Sequence, residues 1–294
     1  YRPVRSRSQA QLARQGIEAC QDSGYQDMTL MSLSSSDYPD LLPLCDALLE
    51  WCEPHKVNLA LPSLRADNFS MNLMEKLQRG GRKSGLTFAP EAGSQRLRDV
   101  INKGLTEEII LEGAGQAFEG GWQKVKLYFM LGQPTETIED EKAIAWLAEK
   151  IAKRYYEIPK DKRNGKCQIT VSTSFFVPKP FTPFQWARMC TKEEFLDKAY
   201  IVNSEIKAQL NKKSIKYNWH EADVTVLEGI LARGDRRVGA SLLTAYRNGC
   251  LFDSWSECFD NDRWLQAFEE TGLDVPFYTT RHRDENELFP WDFI

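Results

Sequence analysis

Strand-like and helix-like segments take turns along the first 190 residues of this chain, and that alternation leaves few architectures open. Ser8 to Ser23 reads as a helix with Leu12, Ile17 and Cys20 inward and Gly24 closing it. Asp27 to Leu33 reads as a strand, and a helix follows Pro39 with Leu41, Leu42, Cys45, Leu48, Leu49 and Cys52 at helical spacing. Val57 to Leu61 is strand-like and Met71 to Arg79 helical. Leu86 to Ala89 is then a strand, with helices starting at Ser94 and at Thr106. Val125 to Leu131 is the next strand, and a helix begins near Thr137, where Asp140 three residues on makes a capping pattern. Gln168 to Val177 closes the series. Each parallel crossover needs a helix-sized connection, so this order predicts an α/β fold with parallel strands, either a barrel or a doubly wound sheet.

The loops after the strands favour the barrel. They read Ser34-Ser-Ser-Asp37, Pro62-Ser-Leu-Arg65, Pro90-Glu-Ala-Gly-Ser94, Gly132-Gln-Pro-Thr135 and Pro178-Lys-Pro180, whereas the opposite ends are plain turns such as Gly80-Gly81 and Gly120-Gly121. Chemistry in a (β/α) barrel is carried by the loops at the strand C-termini, and these are the ones enriched in small, hydroxyl and charged residues. Past residue 190 the texture changes: Trp219, Trp255, Trp264 and Trp291 fall here, with helical stretches at Glu194–Leu210, Val224–Arg233 and Arg237–Gly249. The expected division is a partial barrel over 1–190 and a mainly helical extension over 191–294, packed on the barrel by its aromatics.

Composition narrows the function classes. With 42% hydrophobic and 27% charged residues the chain is an ordinary globular one, not a disordered or fibrous one. Its longest apolar runs are strand-sized, so no membrane span is expected. A formal net charge of −4 argues against bulk attraction to nucleic acid or to an anionic membrane. The seven cysteines contain no Cys-x-x-Cys, which is the usage of buried thiols in a reducing cytoplasm rather than of a zinc ribbon or a complete cluster motif. The opening Tyr1-Arg-Pro-Val-Arg-Ser-Arg-Ser8 carries neither an initiator Met nor an apolar signal core, so the expectation is a fragment of a longer protein.

The run from Leu86-Thr-Phe-Ala-Pro-Glu-Ala-Gly-Ser94 to Asn102-Lys-Gly-Leu-Thr106 resembles the radical S-adenosylmethionine superfamily, in the branch that includes the tRNA methylthiotransferases. That branch has a strand ending in Glu-Ser-Gly-Ser and then a helix ending in Asn-Arg-Gly-Tyr-Thr. Tyr128-Phe-Met-Leu-Gly-Gln-Pro-Thr-Glu-Thr137 matches its Gly-x-Pro-x-Glu-Thr landmark, and Phe176 to Trp186 is similar to its Pro-x-Pro-x-Thr segment. Arg2-Pro-Val-Arg-Ser-Arg-Ser8, Glu228 to Arg237, Gly249 to Trp255 and Leu288 to Asp292 are similar to an uncharacterised group of large radical S-adenosylmethionine proteins. In that group the first of these segments directly follows the cluster-binding cysteine loop.

The resemblance implies a partial (β/α)6-type TIM barrel lacking its first strand. It implies an enzyme that cleaves S-adenosylmethionine reductively to a 5′-deoxyadenosyl radical with an electron from a [4Fe–4S] cluster. The ligands of that cluster are expected before Tyr1, so this stretch alone is expected to be inactive. An electron donor such as ferredoxin or flavodoxin, cobalamin on a further domain, and an RNA or small-molecule substrate are also implied. By the same resemblance Glu91 faces the ribose hydroxyls, and Lys103, twelve residues on, stands where the family has an Arg facing the methionine carboxylate. Ser34, Ser35 and Ser36 occupy the turn that meets the ammonium, Ser63 and Arg65 reach the sugar or the substrate, and Leu131, Gly132 and Gln133 line the adenine.

Two other readings compete. A cluster-free barrel lyase or aldolase would need a Schiff-base lysine deep on a strand, and only Lys124 and Lys126 lie on barrel strands, both near a strand start. A non-catalytic interaction module is suggested by the Trp-rich last third. His220-Glu221 reads as a surface pair, because adjacent residues in an extended segment point to opposite faces, and the basic runs at 150–156 and 160–166 read as a solvated helix end and loop.

Overall fold

Four parallel strands joined edge to edge form the centre of the computed structural model, which describes residues 5–31, 38–60, 86–163 and 165–293. The first elements stand apart as a smaller unit: helix α1 (Gln9–Ser23), strand β1 (Asp27–Thr29), helix α2 (Leu41–His55) and strand β2 (Asn58–Ala60). β1 and β2 pair in parallel, and Cys20, Met28, Leu48, Cys52 and Leu59 pack between the layers. α1 starts because the Ser8 side chain accepts from the Gln11 N–H and stops because Gly24 takes a left-handed conformation with φ of 73°.

The main sheet runs β3 (Leu86–Glu91), β4 (Lys124–Leu131), β5 (Gln168–Phe175) and β6 (Ile215–Trp219) in that order. Between them lie α3 (Gln95–Val100), α4 (Glu107–Glu119), α5 (Ile138–Tyr156) and α6 (Lys192–Ala208). Ser94, Thr106 and Thr137 stand at the starts of α3, α4 and α5, as the sequence pattern requires. The order establishes a mixed α/β fold with parallel sheets. β6 departs from expectation. The segment after residue 190 reads as mainly helical, yet Ile169 to Thr173 pair with Ile215 to Trp219, so the sheet runs on to Trp219. Ile-Lys-Tyr-Asn-Trp is short and polar at every second position, which is the signature of an edge strand and not of a buried one.

Among the described residues, one face of this sheet is packed and the other is not. Val125, Leu127, Phe129 and Leu131 of β4 and Ile169, Val171 and Phe175 of β5 are buried, in one core with Ile110, Ile144, Phe195 and Val202 from the helices. The alternate residues form rows across the other face: Thr87, Lys126, Thr170 and Lys216 in one, Tyr128, Ser172 and Asn218 in another. All of these are half-buried or exposed. A parallel sheet covered on both faces is apolar throughout, so the strict alternation here marks an open polar face.

After β6 come α7 (Ala222–Arg233), α8 (Val238–Arg247), α9 (Asn261–Thr271) and α10 (Val275–Tyr278), around a core that includes Ile230, Ala245, Trp264 and Phe268. Arg233, fully buried, fastens this region to the chain after β5 by donating to the carbonyls of Gln185, Ala187 and Thr279. Trp291 adds a bond from Nε1 to the Gln185 side chain at 2.8 Å. Trp291 is buried, Trp264 is buried within the core of these last helices, Trp219 is half-buried and Trp255 is exposed.

A second buried arginine holds the loop after β3. Arg98 Nη1 donates to the carbonyls of Ala92 (3.1 Å) and Gly93 (2.9 Å), Nε to that of Leu105 (2.9 Å) and Nη2 to the Gln95 side chain (3.1 Å). Replacing Arg98 by Met removes every one of these donors and leaves buried carbonyls unpaired. Since each costs about 1–3 kcal/mol, Arg98→Met should destabilise the fold by roughly 3 kcal/mol or more in urea titration. A loss under about 1 kcal/mol would mean the loop is held by something else.

Candidate functional site

The C-terminal ends of the parallel strands all lie at one edge of the sheet, and two of their loops meet there. β3 ends at Glu91, which has a left-handed φ of 67° and sits just past an irregularity in the pairing with β4. β4 ends at Leu131 and turns at Gly132, where φ is 83°. A side chain at Gly132 would have a Cβ 2.7 Å from Phe195 and 3.0 Å from the Cys190 sulfur, so glycine is required both by conformation and by space. Gly93 is equally constrained: a Cβ there would stand 2.3 Å from the Ile144 nitrogen, so the Pro90–Ser94 loop lies directly on α5.

The expected Glu91, Lys103 and Gln133 come together. Lys103 Nζ lies 3.3 Å from the Glu91 carboxylate, and both side chains are about one-third exposed or less. Gln133 Nε2 donates to the Glu91 carbonyl at 3.0 Å. Lys103 is aimed by the end of α3, where Asn102 and Gly104 take positive φ and the Lys103 N–H returns to the Arg98 carbonyl at 2.9 Å. Leu131 is fully buried in the helix-side core, and its carbonyl accepts from the Phe176 N–H at 2.8 Å. Ser34, Ser35, Ser36, Ser63 and Arg65 lie outside the described residues, as does the helix expected over Met71 to Arg79.

Buried charge ties the two loops to each other. The Asp140 carboxylate accepts from Ser94 Oγ, from the Arg96 guanidinium, and from the Thr137 N–H (2.8 Å) and hydroxyl (2.7 Å). Burial alone pushes this carboxyl up, but the bonds from Arg96, Ser94 and Thr137 outweigh it and hold its pKa at about 2. Arg96 also donates to the Thr135 carbonyl at 2.8 Å, steadying a second non-glycine residue with left-handed φ, here 67°. Glu136 caps the β4 turn from inside: its carboxylate accepts the N–H groups of Gly132 (2.7 Å) and Gln133 (3.1 Å). Its pKa is raised to about 7, chiefly by burial, against the pull of the Lys198 ammonium 3.3 Å away.

Several residues that carry this arrangement escape a reading of the chain alone. Arg98, Asp140 beyond its capping role and Lys198 are polar groups on helices, Glu136 lies in the turn before α5, and nothing in their spacing announces burial. The alternation of β4 and β5 is the one visible signal that a face stays open. Lys124 and Lys126 are exposed at the strand start, the end opposite Glu91. His220 and Glu221 are both exposed. Among the described residues no group of three or more His, Cys, Asp or Glu could hold a metal ion. Burial raises the thiol of Cys52 to about 11 and that of Cys167 to about 12, so neither is a thiolate at neutral pH.

No family model matches the chain. It is 31% identical over 273 residues to an uncharacterised protein of Methanocaldococcus jannaschii, a match covering 93% of this chain and 56% of the relative. The chain thus spans about half the length of the curated relative it matches. Among solved structures, the archaeal Elp3 of Methanocaldococcus infernus with an N-terminal deletion superposes with a TM-score of 0.46 at 13% identity, covering 90% of this chain and 60% of that one. No helix of the described residues is long and apolar enough to cross a membrane.

The Asp140 clamp predicts an acid-sensitive fold. Its folded pKa of about 2 lies below the ordinary 3.8, so its contribution is complete above roughly pH 4 and is lost as the pH falls through 2. At about 1.4 kcal/mol per unit the contribution is roughly 2 kcal/mol at neutral pH. Urea titrations should therefore find Asp140→Asn less stable than the unsubstituted protein by that order at pH 7, with the gap closing toward pH 2. A gap independent of pH would show that the carboxylate's charge is not what holds the loops.

Proposed function

We propose that residues 1–190 form the S-adenosylmethionine-binding part of a radical S-adenosylmethionine enzyme. In this reading the chain is a partial (β/α)6 barrel lacking its first strand, with residues 191–294 packed against it. The observation that carries the reading is the Glu91–Lys103 pair, 3.3 Å apart at the C-terminal edge of a parallel sheet whose adjoining face is polar and open. A barrel whose lumen must admit a substrate needs such a face, and rows led by Lys126 and Tyr128 supply it.

The residues present fit the cofactor. A zwitterionic ligand with a ribose offers a partner for each member of the pair: hydroxyl donors for the Glu91 carboxylate, and a carboxylate for the Lys103 ammonium. Gln133 is fixed by its Nε2 on Glu91, while its buried Oε1 has no partner among the described residues, so it can accept from an exocyclic amine of a purine. Leu131 and Gly132 enter the proposed set through their backbone alone, since the Leu131 side chain lies in the helix-side core and Phe195 and Cys190 fill the space a Gly132 side chain would take. Ser34, Ser35, Ser36, Ser63 and Arg65 complete the proposed set around the ammonium and the sugar. When bound, the cofactor supplies a sulfonium open to one-electron reduction, and the protein's part is to grip, orient and shield it. The strained φ of Glu91 serves that end by holding one carboxylate at the mouth of the sheet.

An iron–sulfur cluster does not fit these residues. The described thiols form no ligand group, and burial holds those of Cys52, Cys167 and Cys190 well above the range in which they would ionise. No electron-transfer step is therefore assigned to this chain. Its substrate, whether RNA or a small molecule, and any use of cobalamin belong to the longer protein proposed here.

The test is the Lys103 ammonium in the full-length gene product, reconstituted anaerobically with iron and sulfide. A charge-assisted contact to a carboxylate is worth about 1.5–3 kcal/mol, so Lys103→Ala should weaken S-adenosylmethionine binding roughly 10- to 150-fold by calorimetry. Lys103→Arg should retain or strengthen it, since the guanidinium offers a two-pronged grip. Unchanged affinity in Lys103→Ala would remove the assignment.

A further inference from the structure

A second cleft lies at the same edge of the sheet but on the helix side, between the N-terminal halves of α5 and α6. It encloses about 590 Å³ and is lined by the β4 turn, by Ile138 and Glu141 of α5, by the 186–190 segment and by Glu194, Asp197, Lys198 and Ile201 of α6. Neither Glu91 nor Lys103 lines it.

Two buried polar atoms of residues that line it have no hydrogen-bond partner among the described residues. Glu141, whose side chain is 2% exposed, uses one carboxylate oxygen to accept from Lys198 Nζ at 2.7 Å. Its other oxygen, Oε2, has no hydrogen-bond partner among the described residues. Trp186 Nε1, a donor, is likewise buried without a partner. A buried acceptor left unpaired costs about 1–3 kcal/mol, and more when it is charged, so a built wall carrying both is a wall that waits for a ligand. The cost is largest at the carboxylate.

The charge around these atoms says which ligand. Glu136, Glu141, Glu194 and Asp197 face Arg188, Lys198 and the His282 imidazole, an excess of carboxylates over fixed positive charges. Arg188 is already held by Glu194 in two bonds of 2.9 and 2.7 Å, which leaves Lys198 as the one permanent cation of the lining opposite the remaining carboxylates, with His282 beside it. The raised pKa of Glu136 comes chiefly from its burial, with the neighbouring Glu141 carboxylate adding to it against the pull of Lys198. Ile138, Ile201 and the Trp186 ring give the cleft apolar sides.

We propose that this cleft binds a small organic amine, with its ammonium on Glu141 Oε2 and an acceptor atom on Trp186 Nε1. The site shares the β4 turn, Gly132 and Gln133, with the one proposed for S-adenosylmethionine, but it uses neither Glu91 nor Lys103. An anion of the same shape is repelled by the carboxylates, and a molecule without an ammonium gives Glu141 Oε2 no charged partner.

Three probes of one shape separate these cases: tyramine, 4-ethylphenol and 3-(4-hydroxyphenyl)propionate, titrated calorimetrically into the full chain. Tyramine should bind saturably, and the neutral and anionic analogues at least about 10-fold more weakly, as expected for a charge-assisted hydrogen bond. Glu141→Gln should cut tyramine affinity by about 10- to 100-fold. Asp197→Asn, a change at an exposed position, should cut it severalfold while leaving the fold intact. The Trp186 Nε1–H resonance should shift on addition of tyramine. Lys103→Ala should leave tyramine binding unchanged, and Glu141→Gln should leave S-adenosylmethionine binding unchanged. Equal binding of the three probes, or tyramine affinity indifferent to both Glu141→Gln and Asp197→Asn, overturns the proposal.

Discussion

A single buried carboxylate holds together the two strand-end loops on which everything proposed for this chain depends. Asp140 begins as a helix-start residue of α5, bonded to Thr137, but its remaining capacity goes to Ser94 and Arg96 in the loop after β3. A carboxylate at that depth is tolerated only when every lone pair is met, and here all are met by groups from the two loops that must be adjacent. Arg98 completes the grip from the other side by collecting the carbonyls of Ala92 and Gly93, and Glu136 collects the N–H groups of the β4 turn. Those anchors over-determine the backbone, which is why Glu91 and Thr135 can persist with left-handed φ.

Function follows from the direction in which that rigidity is turned. The helix side of the sheet is an ordinary apolar core, while the opposite side keeps Thr, Ser, Lys, Tyr and Asn in cross-strand rows. The Glu91–Lys103 pair stands where the rigid loops overlook that polar face, and the rim cleft lies behind them among the helices. One edge of one sheet thus offers two chemically distinct surfaces, a mixed-charge one in front and an acidic one behind.

Much of the fold was legible because helix starts and strand periods are local. Ser8, Ser94, Thr106 and Thr137 stand at the helix starts by side-chain chemistry alone, and Gly24 marks a helix end because only it takes that φ at low cost. β6 was hidden because five residues alternating at an edge carry too little apolar signal to be told from a loop. The resemblance singled out Glu91 and Lys103 separately, but their approach to each other was not legible, since twelve residues of separation say nothing about contact. Arg98, Glu136 and Glu141 were illegible for a different reason: charged side chains are rarely buried, and only their three-dimensional partners reveal these as exceptions.

The most direct test of the account is a measured structure of the full-length protein with S-adenosylmethionine bound. The account predicts the ligand at the C-terminal edge of the β3–β6 sheet, its ribose hydroxyls on the Glu91 carboxylate and its methionine carboxylate on Lys103 Nζ, with the Glu91–Lys103 ion pair opened to receive it. A ligand bound elsewhere, or one bound here with that pair still closed at 3.3 Å, would contradict it.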